Sequence, residues 1–372
     1  MEGKRTGVGR YLINLLQQWS EFDIGNRISN IKFILYFKDE IPRDLPQSEL
    51  FEFKLLNVLS TAKFIHWDLC RAAKKDKIDI LFCPDYIGPL FYKGKIAVTL
   101  HDISYEAHPE WFNWPSPADR ILLKWVSKKT AQKAEIIFVP LEFSKSEVIK
   151  YYGVAPEKII VTGEGVDPVL IYKISEKSGE DIAKIKEKYG IKDKLAFYFG
   201  SIFLRRHLKE AIGAFEKIAF KKRDYQLLIG GKDYTNGKSV DKLVKKVNKN
   251  LNREAILRVD FIPDNDLKLL CSAAAFFIWI SDYEGFGLPP LEAISNSAPV
   301  ITTNGTSLKE VAGEAAILIE NNKDVQEIYQ AMKNITEDDN LRSRLIEKGK
   351  EQVKKFSWER CAEITLDALS RA

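Results

Sequence analysis

The sequence predicts an α/β protein built from doubly wound parallel sheets, and three observations carry that prediction. Short apolar runs alternate with longer amphipathic ones along the whole chain. The runs fall into two series with a charged stretch between them. Glycines and charged residues gather just after the ends of several runs. Strand and helix in alternation imply parallel sheets covered by helices.

The elements follow in order. Val8, Tyr11, Leu12, Leu15, Leu16 and Trp19 recur at helical spacing, so the chain opens on an amphipathic helix. Strand-like runs follow at Ile31–Phe37, Phe51–Leu56, Ile78–Phe82, Ile96–Leu100, Ile136–Val139 and Ile159–Val161. The second series covers Leu195–Phe199, Gln226–Ile229, Ile256–Val259, Ala275–Ile280, Val300–Thr302 and Ala316–Ile319. The break lies between about Asp167 and Asp193, where the loop Gly163–Pro168 leads into the charged run Glu176–Lys194. Two Rossmann-like domains facing a cleft are expected, 1–168 and 169–356.

A chain of 372 residues is long enough for two domains, each with its own core. Hydrophobic content of 45% and charged content of 29% are ordinary for a soluble globular protein. A net charge of +5 is too small to argue for nucleic acid. It suits phosphorylated substrates or a mild attraction to anionic lipid. Cys70, Cys83, Cys271 and Cys361 show no paired spacing, so reduced, mostly buried thiols in a cytosolic protein are expected. No apolar run approaches the ~20 residues of a membrane helix, and no signal-peptide core opens the chain.

The most informative stretch is Asp282–Ile294, DYEGFGLPPLEAI. An apolar run ends in Ser281, followed by Glu284, the turn Gly285-Phe286-Gly287, the pair Pro289-Pro290 and then Glu292. This reads as strand, loop and helix start with free backbone N–H groups, which is a binding place for anions and phosphates. The glycines allow close approach of a ligand, and the prolines suit a first helical turn. Two carboxylates beside an anion site need hydroxyls to hold, and a sugar supplies them. Other notable residues also follow strand ends, where open α/β sheets bind ligands: His101-Asp102, Gly200–Arg206 and Gly230-Gly231-Lys232.

The same stretch resembles the donor-site signature of retaining glycosyltransferases of the GT-B fold, in particular glycosyltransferase family 4. TGVGRYLINLL, TLHDISYEAHPEWF, EFSKSEVIKYYGVAPEKIIVTGEGVD, SAPVITTNGTSLKEVAGEAAILI and FSWERCAEITL resemble that family in its usual order, across nearly the whole chain. The resemblance implies that the last helix, 357–372, packs back on the first domain. It also implies a strand before TGVGRY. The chain begins Met1-Glu2-Gly3-Lys4-Arg5, so that strand is expected to be missing and two sheet edges exposed.

The resemblance implies roles for named residues. Arg205 and Arg206 would meet the diphosphate of a nucleotide-sugar, where a fixed cation stabilises the leaving charge. The family usually carries Arg-Lys here, whereas this chain reads Leu204-Arg205-Arg206-His207. Glu292 would hold the ribose hydroxyls. Glu284, Gly285, Phe286, Gly287 and Leu288 would contact sugar or phosphate. His101 would line the sugar pocket, or else be a core histidine satisfied by Asp102. Gly7 and Gly9 would form the loop before the first helix and approach the donor phosphate. Gly200 and Lys232 would border the nucleotide, and Ser307 and Glu310 lie where the family contacts the donor. His66 and His108 have no partner pattern and read as structural. No His/Cys cluster has metal spacing, and neither a metal nor a cofactor is expected.

Ala118–Ala134 reads as a basic amphipathic helix, with Arg120, Lys124, Lys128, Lys129 and Lys133 against Asp119, and with Trp111, Trp114 and Trp125 nearby. It is either a solvated face beside core tryptophans or a surface for the inner membrane leaflet. The expected function is hexose transfer from a nucleotide-sugar to a saccharide or lipid-linked saccharide, in the cytoplasm or peripherally at the inner membrane. The HDISYEAHPEWF segment is most similar to mannosyltransferase-like members, so GDP-mannose is the first donor and a UDP-sugar the second. The alternatives are a nucleotide-sugar-binding pseudoenzyme and another enzyme on the fold, such as an epimerase or a glycosidase, which would need two carboxyls around one glycosidic bond.

Overall fold

The computed structural model describes residues 7–21, 31–112, 114–167, 171, 179–235 and 239–372. The chain divides into two compact units, Met1–Gly165 with Ser357–Ala372, and Val166–Phe356.

In the first unit every described strand pairs in parallel. β1 (Phe33–Phe37) pairs only with β2 (Phe51–Leu55). β3 (Ile80–Cys83), β4 (Lys95–Thr99), β5 (Ile136–Val139) and β6 (Ile159–Val161) form a second sheet in chain order. The six runs of the first series therefore make two sheets rather than one. Phe82 of β3 packs against the cluster that holds Phe33 and Leu35 of β1, so the sheets meet through side chains and not through a hydrogen-bond ladder. The expectation of a lacking strand before the opening helix concerns residues outside those described.

The opening helix, Gly7–Glu21, buries Tyr11, Leu15, Leu16 and Trp19 on one face, the helical period put to use. That face packs on the C-terminal helix, Trp358–Arg371, around Cys361, Ala362 and Leu366. Trp19 Nε1 donates to the Ala362 carbonyl at 3.0 Å, which satisfies the one polar atom of a buried indole. The C-terminal helix is capped by Ser357, whose hydroxyl accepts from Arg360 N at 3.1 Å.

The second unit is one six-stranded parallel sheet. Its strands are β7 (Lys194–Phe199), β8 (Tyr225–Gly230), β9 (Ile256–Val259), β10 (Ala274–Trp279), β11 (Val300–Thr303) and β12 (Ala316–Ile319), in the order β12-β11-β10-β7-β8-β9. Helices bury both faces, so Phe197, Leu227, Phe277 and Ile301 read as continuous apolar runs without alternation. The chain winds outward from β7 to β9, then returns to place β10 on the other side of β7. The loops after β7 and β10 thus diverge from neighbouring strands at a topological switch point, where sheets of this kind open a crevice.

Candidate active-site residues

In the second unit the switch point carries most of the candidate donor residues. After β7 the chain turns at Gly200, with φ +123, where a Cβ would lie 2.7 Å from the Trp279 ring. A Cβ on Gly231 (φ +135) would lie 1.9 Å from the Gly200 carbonyl oxygen, so the ends of β7 and β8 touch backbone to backbone. A short 3-10 turn, Leu204–Arg206, then leads to His207, whose φ of 43 is uncommon for a residue with a Cβ.

Two contacts fasten this turn to the β10 loop. Asp282 N donates to the Arg205 carbonyl at 2.9 Å. His207 Nε2 lies 2.8 Å from Asp282 Oδ1, though out of line for a hydrogen bond, and Asn322 Nδ2 donates to the same oxygen at 3.2 Å.

Arg206 does not stand as an open cation. Its Nε donates to Glu284 Oε1 at 2.8 Å, its Nη2 to Glu284 Oε2 at 3.1 Å, and its Nη1 to the Ser201 carbonyl at 2.6 Å. The guanidinium lies over the Trp279 ring at 4.2 Å, and that ring stacks on Tyr198. The side chains of Arg206 and Glu284 are only 11% and 13% exposed. Burial alone would lower the guanidinium pKa, but the Glu284 carboxylate outweighs it and holds the group charged. Three of the five guanidinium N–H groups are committed, and both Glu284 oxygens accept from this one partner. These contacts use the planar fork of a guanidinium, which a lysine ammonium could not reproduce. Ser307, buried on the helix Thr306–Ala312 that follows β11, donates its hydroxyl to the Glu284 carbonyl at 2.7 Å and fixes the loop from behind.

Arg205 lies over the Phe203 ring at 4.5 Å. Phe203 stacks on Tyr234 at 5.1 Å, and exposed Lys232 lies over Tyr234 at 5.3 Å. Arg206 also lies over Phe203, at 5.3 Å, so three cations border one aromatic pair.

The helix after the β10 loop begins at Leu288, one residue before the proline pair, with Gly287 (φ 117) as its cap. A Cβ on Gly287 would lie 2.9 Å from Leu308 Cδ2. Pro289 and Pro290 have no N–H, and Leu291 N donates to the Gly287 carbonyl at 3.3 Å. The helix start is thus poorer in donors than the sequence implied, and an anion there would rely on the N–H groups of the loop and Leu288. Phe286 is buried and packs edge-to-face on Phe356, so only its backbone serves the loop. Glu292 is buried at the fifth helical position, not in the first turn. Its carbonyl accepts from Asn296 Nδ2 at 2.8 Å.

In the first unit, Gly7 and Gly9 lie inside the opening helix rather than in a loop before it. His101 follows β4 and does not pair with Asp102. Its Nδ1 is 3.0 Å from Glu164 Oε1 and its Nε2 is 3.2 Å from the Pro84 carbonyl. Asp102 Oδ1 instead accepts from Ser104 N at 2.9 Å and from its hydroxyl at 2.7 Å. His66 Nδ1 accepts weakly from Leu90 N at 3.4 Å, and His108 stacks on Trp111 at 3.9 Å. The basic helix, Pro117–Lys133, turns its large apolar residues outward: Ile121, Leu122 and Trp125 are 68%, 58% and 53% exposed. Its buried residues are Val126, Ser127, Thr130 and Ala131, so Trp125 is not a core tryptophan.

Residues 5–170 match the family model of Glycosyltransferase Family 4, and residues 181–352 that of Glycosyl transferases group 1. The chain belongs to glycosyltransferase family 4. Along 98% of its length it is 28% identical to the O-antigen chain mannosyltransferase B of Escherichia coli, covering 95% of that protein. Among solved structures, the fold is similar to WaaG, a glycosyltransferase involved in lipopolysaccharide biosynthesis, at TM-score 0.73 and 16% identity over 100% of this chain and 98% of that one. It is also similar to Anabaena Alr3699/HepE in complex with UDP and glucose, at TM-score 0.74 and 15% identity, covering 100% and 98%. This glycosyltransferase therefore has the GT-B fold, and the switch-point residues lie within the segment matched by the group 1 model. The sequence singled out Arg206, Glu284 and Ser307, with Ser201 inside the Gly200–Arg206 segment, but neither their mutual contacts nor Trp279. Nothing short of the sheet order brings those residues together.

Proposed function

We propose that this glycosyltransferase moves a hexose from a nucleotide-sugar to a saccharide or lipid-linked saccharide, with retention of anomeric configuration, in the assembly of a cell-surface polysaccharide. The observation that carries the proposal is the fastening of the Arg205-Arg206 turn to the Glu284 loop at the β7/β10 switch point. GDP-mannose is the donor of first choice, because the full-length relative is a mannosyltransferase.

In this reading Arg205 and the remaining N–H groups of Arg206 meet the diphosphate, together with loop N–H groups from Gly285 to Leu288. Gly200 and Lys232 border the nucleotide, and Glu292 takes the ribose hydroxyls. Glu284 is neither nucleophile nor base, since both its oxygens already accept from Arg206. A donor phosphate oxygen takes the acceptor proton as the glycosidic bond breaks, so the reaction needs no protein base, cofactor or metal ion. The same pairing argues against a glycosidase, which would need two working carboxyls. The test is a melting series with GDP, UDP, ADP and their hexose derivatives, without metal. A ligand that binds only the folded state raises the melting temperature. The expected result is stabilisation by guanine nucleotides that is lost in Glu292→Ala. A folded protein shifted by none of them would sink the proposal.

The acceptor side is proposed to work at an anionic membrane surface, with the enzyme peripheral on the inner leaflet. Support comes from the reversed helix Pro117–Lys133, whose outer face joins Ile121, Leu122 and Trp125 to Arg120 and Lys129. That is the composition of an interfacial helix, not of a solvated one. Vesicles containing anionic phospholipid should carry the protein in flotation, and Ile121→Ser with Trp125→Ser should abolish this. Equal flotation of wild type and variant would refute the assignment.

A further inference from the structure

His101 has surroundings that do not suit a histidine waiting to bind a hydroxyl. Each ring nitrogen faces an acceptor: Glu164 Oε1 at 3.0 Å from Nδ1, and the Pro84 carbonyl at 3.2 Å from Nε2. A carbonyl has no proton to give, so Nε2 must carry one. The proton between Nδ1 and Glu164 belongs on the stronger base, and imidazole exceeds a carboxylate by about two pKa units. Both ring nitrogens then carry protons and both are committed.

Glu164 is held firmly enough to impose this. It is buried. Two residues earlier, Thr162 N donates to the Val139 carbonyl at 3.0 Å. The following Gly165 leaves no room for a side chain, since a Cβ there would lie 2.4 Å from Trp358 N. A buried carboxylate so placed needs a charged or hydrogen-bonding partner, and His101 is that partner.

We propose that Glu164 is a positioning residue that holds His101 as a doubly donating imidazolium, and that sugar transfer requires this charged pair. The second half rests on the proposed function. His101 would then present its charge and backbone to a sugar, not a free ring N–H. The other titratable groups around the ring are Asp85 after β3, the neighbouring Asp102, and Tyr11 of the opening helix, whose ring meets the imidazole edge-to-face at 4.6 Å. Cys361 of the C-terminal helix lies beyond Tyr11 and feels Glu164. Burial pulls the His101 pKa down, but Glu164, aided by Asp85 and the Pro84 carbonyl, outweighs it and holds the pKa above the usual 6.5. A folded pKa above the unfolded one means that the pair stabilises fully below the unfolded value. That contribution is lost as pH rises through the folded value.

The test uses the full chain and ring-nitrogen NMR. The sequence has only four histidines, so His101→Gln assigns the signal. In the native protein both His101 nitrogens should stay protonated at pH 7, and Glu164→Gln should move the titration to lower pH. A titration displaced downward by about one pKa unit should lower transfer by Glu164→Gln about tenfold at pH 8, and the loss should shrink at pH 5.5 as more of the imidazole takes up its proton. A neutral His101 at pH 7 in the native protein would overturn the proposal, as would an unmoved titration in the variant. Equal loss of transfer at both pH values would reduce Glu164 to a structural role and refute the charged-pair requirement. If the titration behaves as expected but no donor is ever turned over, the pairing stands and the proposed function fails.

Discussion

The Arg206–Glu284 pair makes a prediction that can be worked through from its geometry. Both side chains are nearly buried, and the carboxylate accepts two N–H groups at 2.8 and 3.1 Å. Glu284→Leu leaves a guanidinium buried against Trp279 without its counter-charge, and Arg206→Met leaves a carboxylate in the same position. Breaking one side of such a pair costs about 3–5 kcal/mol. For a unit the size of Val166–Phe356, 3 kcal/mol lowers its melting temperature by roughly 6–12 °C. The double variant loses the same interaction only once. Its cost should fall short of the summed single costs by about 2–3 kcal/mol. Urea unfolding of the four proteins, followed by tryptophan fluorescence, measures the cycle. Costs that add within about 0.5 kcal/mol would show that the two groups do not stabilise each other, and the switch-point account would lose its anchor.

Further predictions follow from the neighbouring contacts. Glu292→Ala should weaken binding of the donor nucleotide at least about tenfold, read by calorimetry on the folded variant. Gly231→Ala should destabilise the second unit by more than about 2 kcal/mol, because the new Cβ meets the Gly200 carbonyl oxygen and φ is +135. A melting temperature equal to wild type would contradict the close approach. Ser307→Ala should lower turnover more than donor affinity, since its hydroxyl holds only the backbone of Glu284. A pure affinity effect would count against that role.

Much of this protein was legible in the sequence for a simple reason. Parallel strands buried on both faces must be continuous apolar runs, and those runs are short and separated by amphipathic helices. All twelve predicted strands are found, with no end displaced by more than two residues. The opening helix was equally plain, because Tyr11, Leu15, Leu16 and Trp19 lie on one face. The candidate donor loop was visible from Gly285, Gly287 and the proline pair, which mark a turn into a helix whatever surrounds them.

The sequence by itself determined the fold class, the family and which loops are candidates for the chemistry, since each is written in local pattern and spacing. Tertiary structure decided which of those residues meet. Arg206 and Glu284 stand 78 positions apart, and only the placement of β10 beside β7 makes them partners. His101 and Glu164 stand 63 apart, joined through the ends of β4 and β6. The basic helix buries Ser127 and Thr130 and exposes Ile121, Leu122 and Trp125, against its own composition. A pairing between distant side chains leaves no trace in local periodicity. It depends on strand order and on burial, which make a paired charge stable and an unpaired one costly.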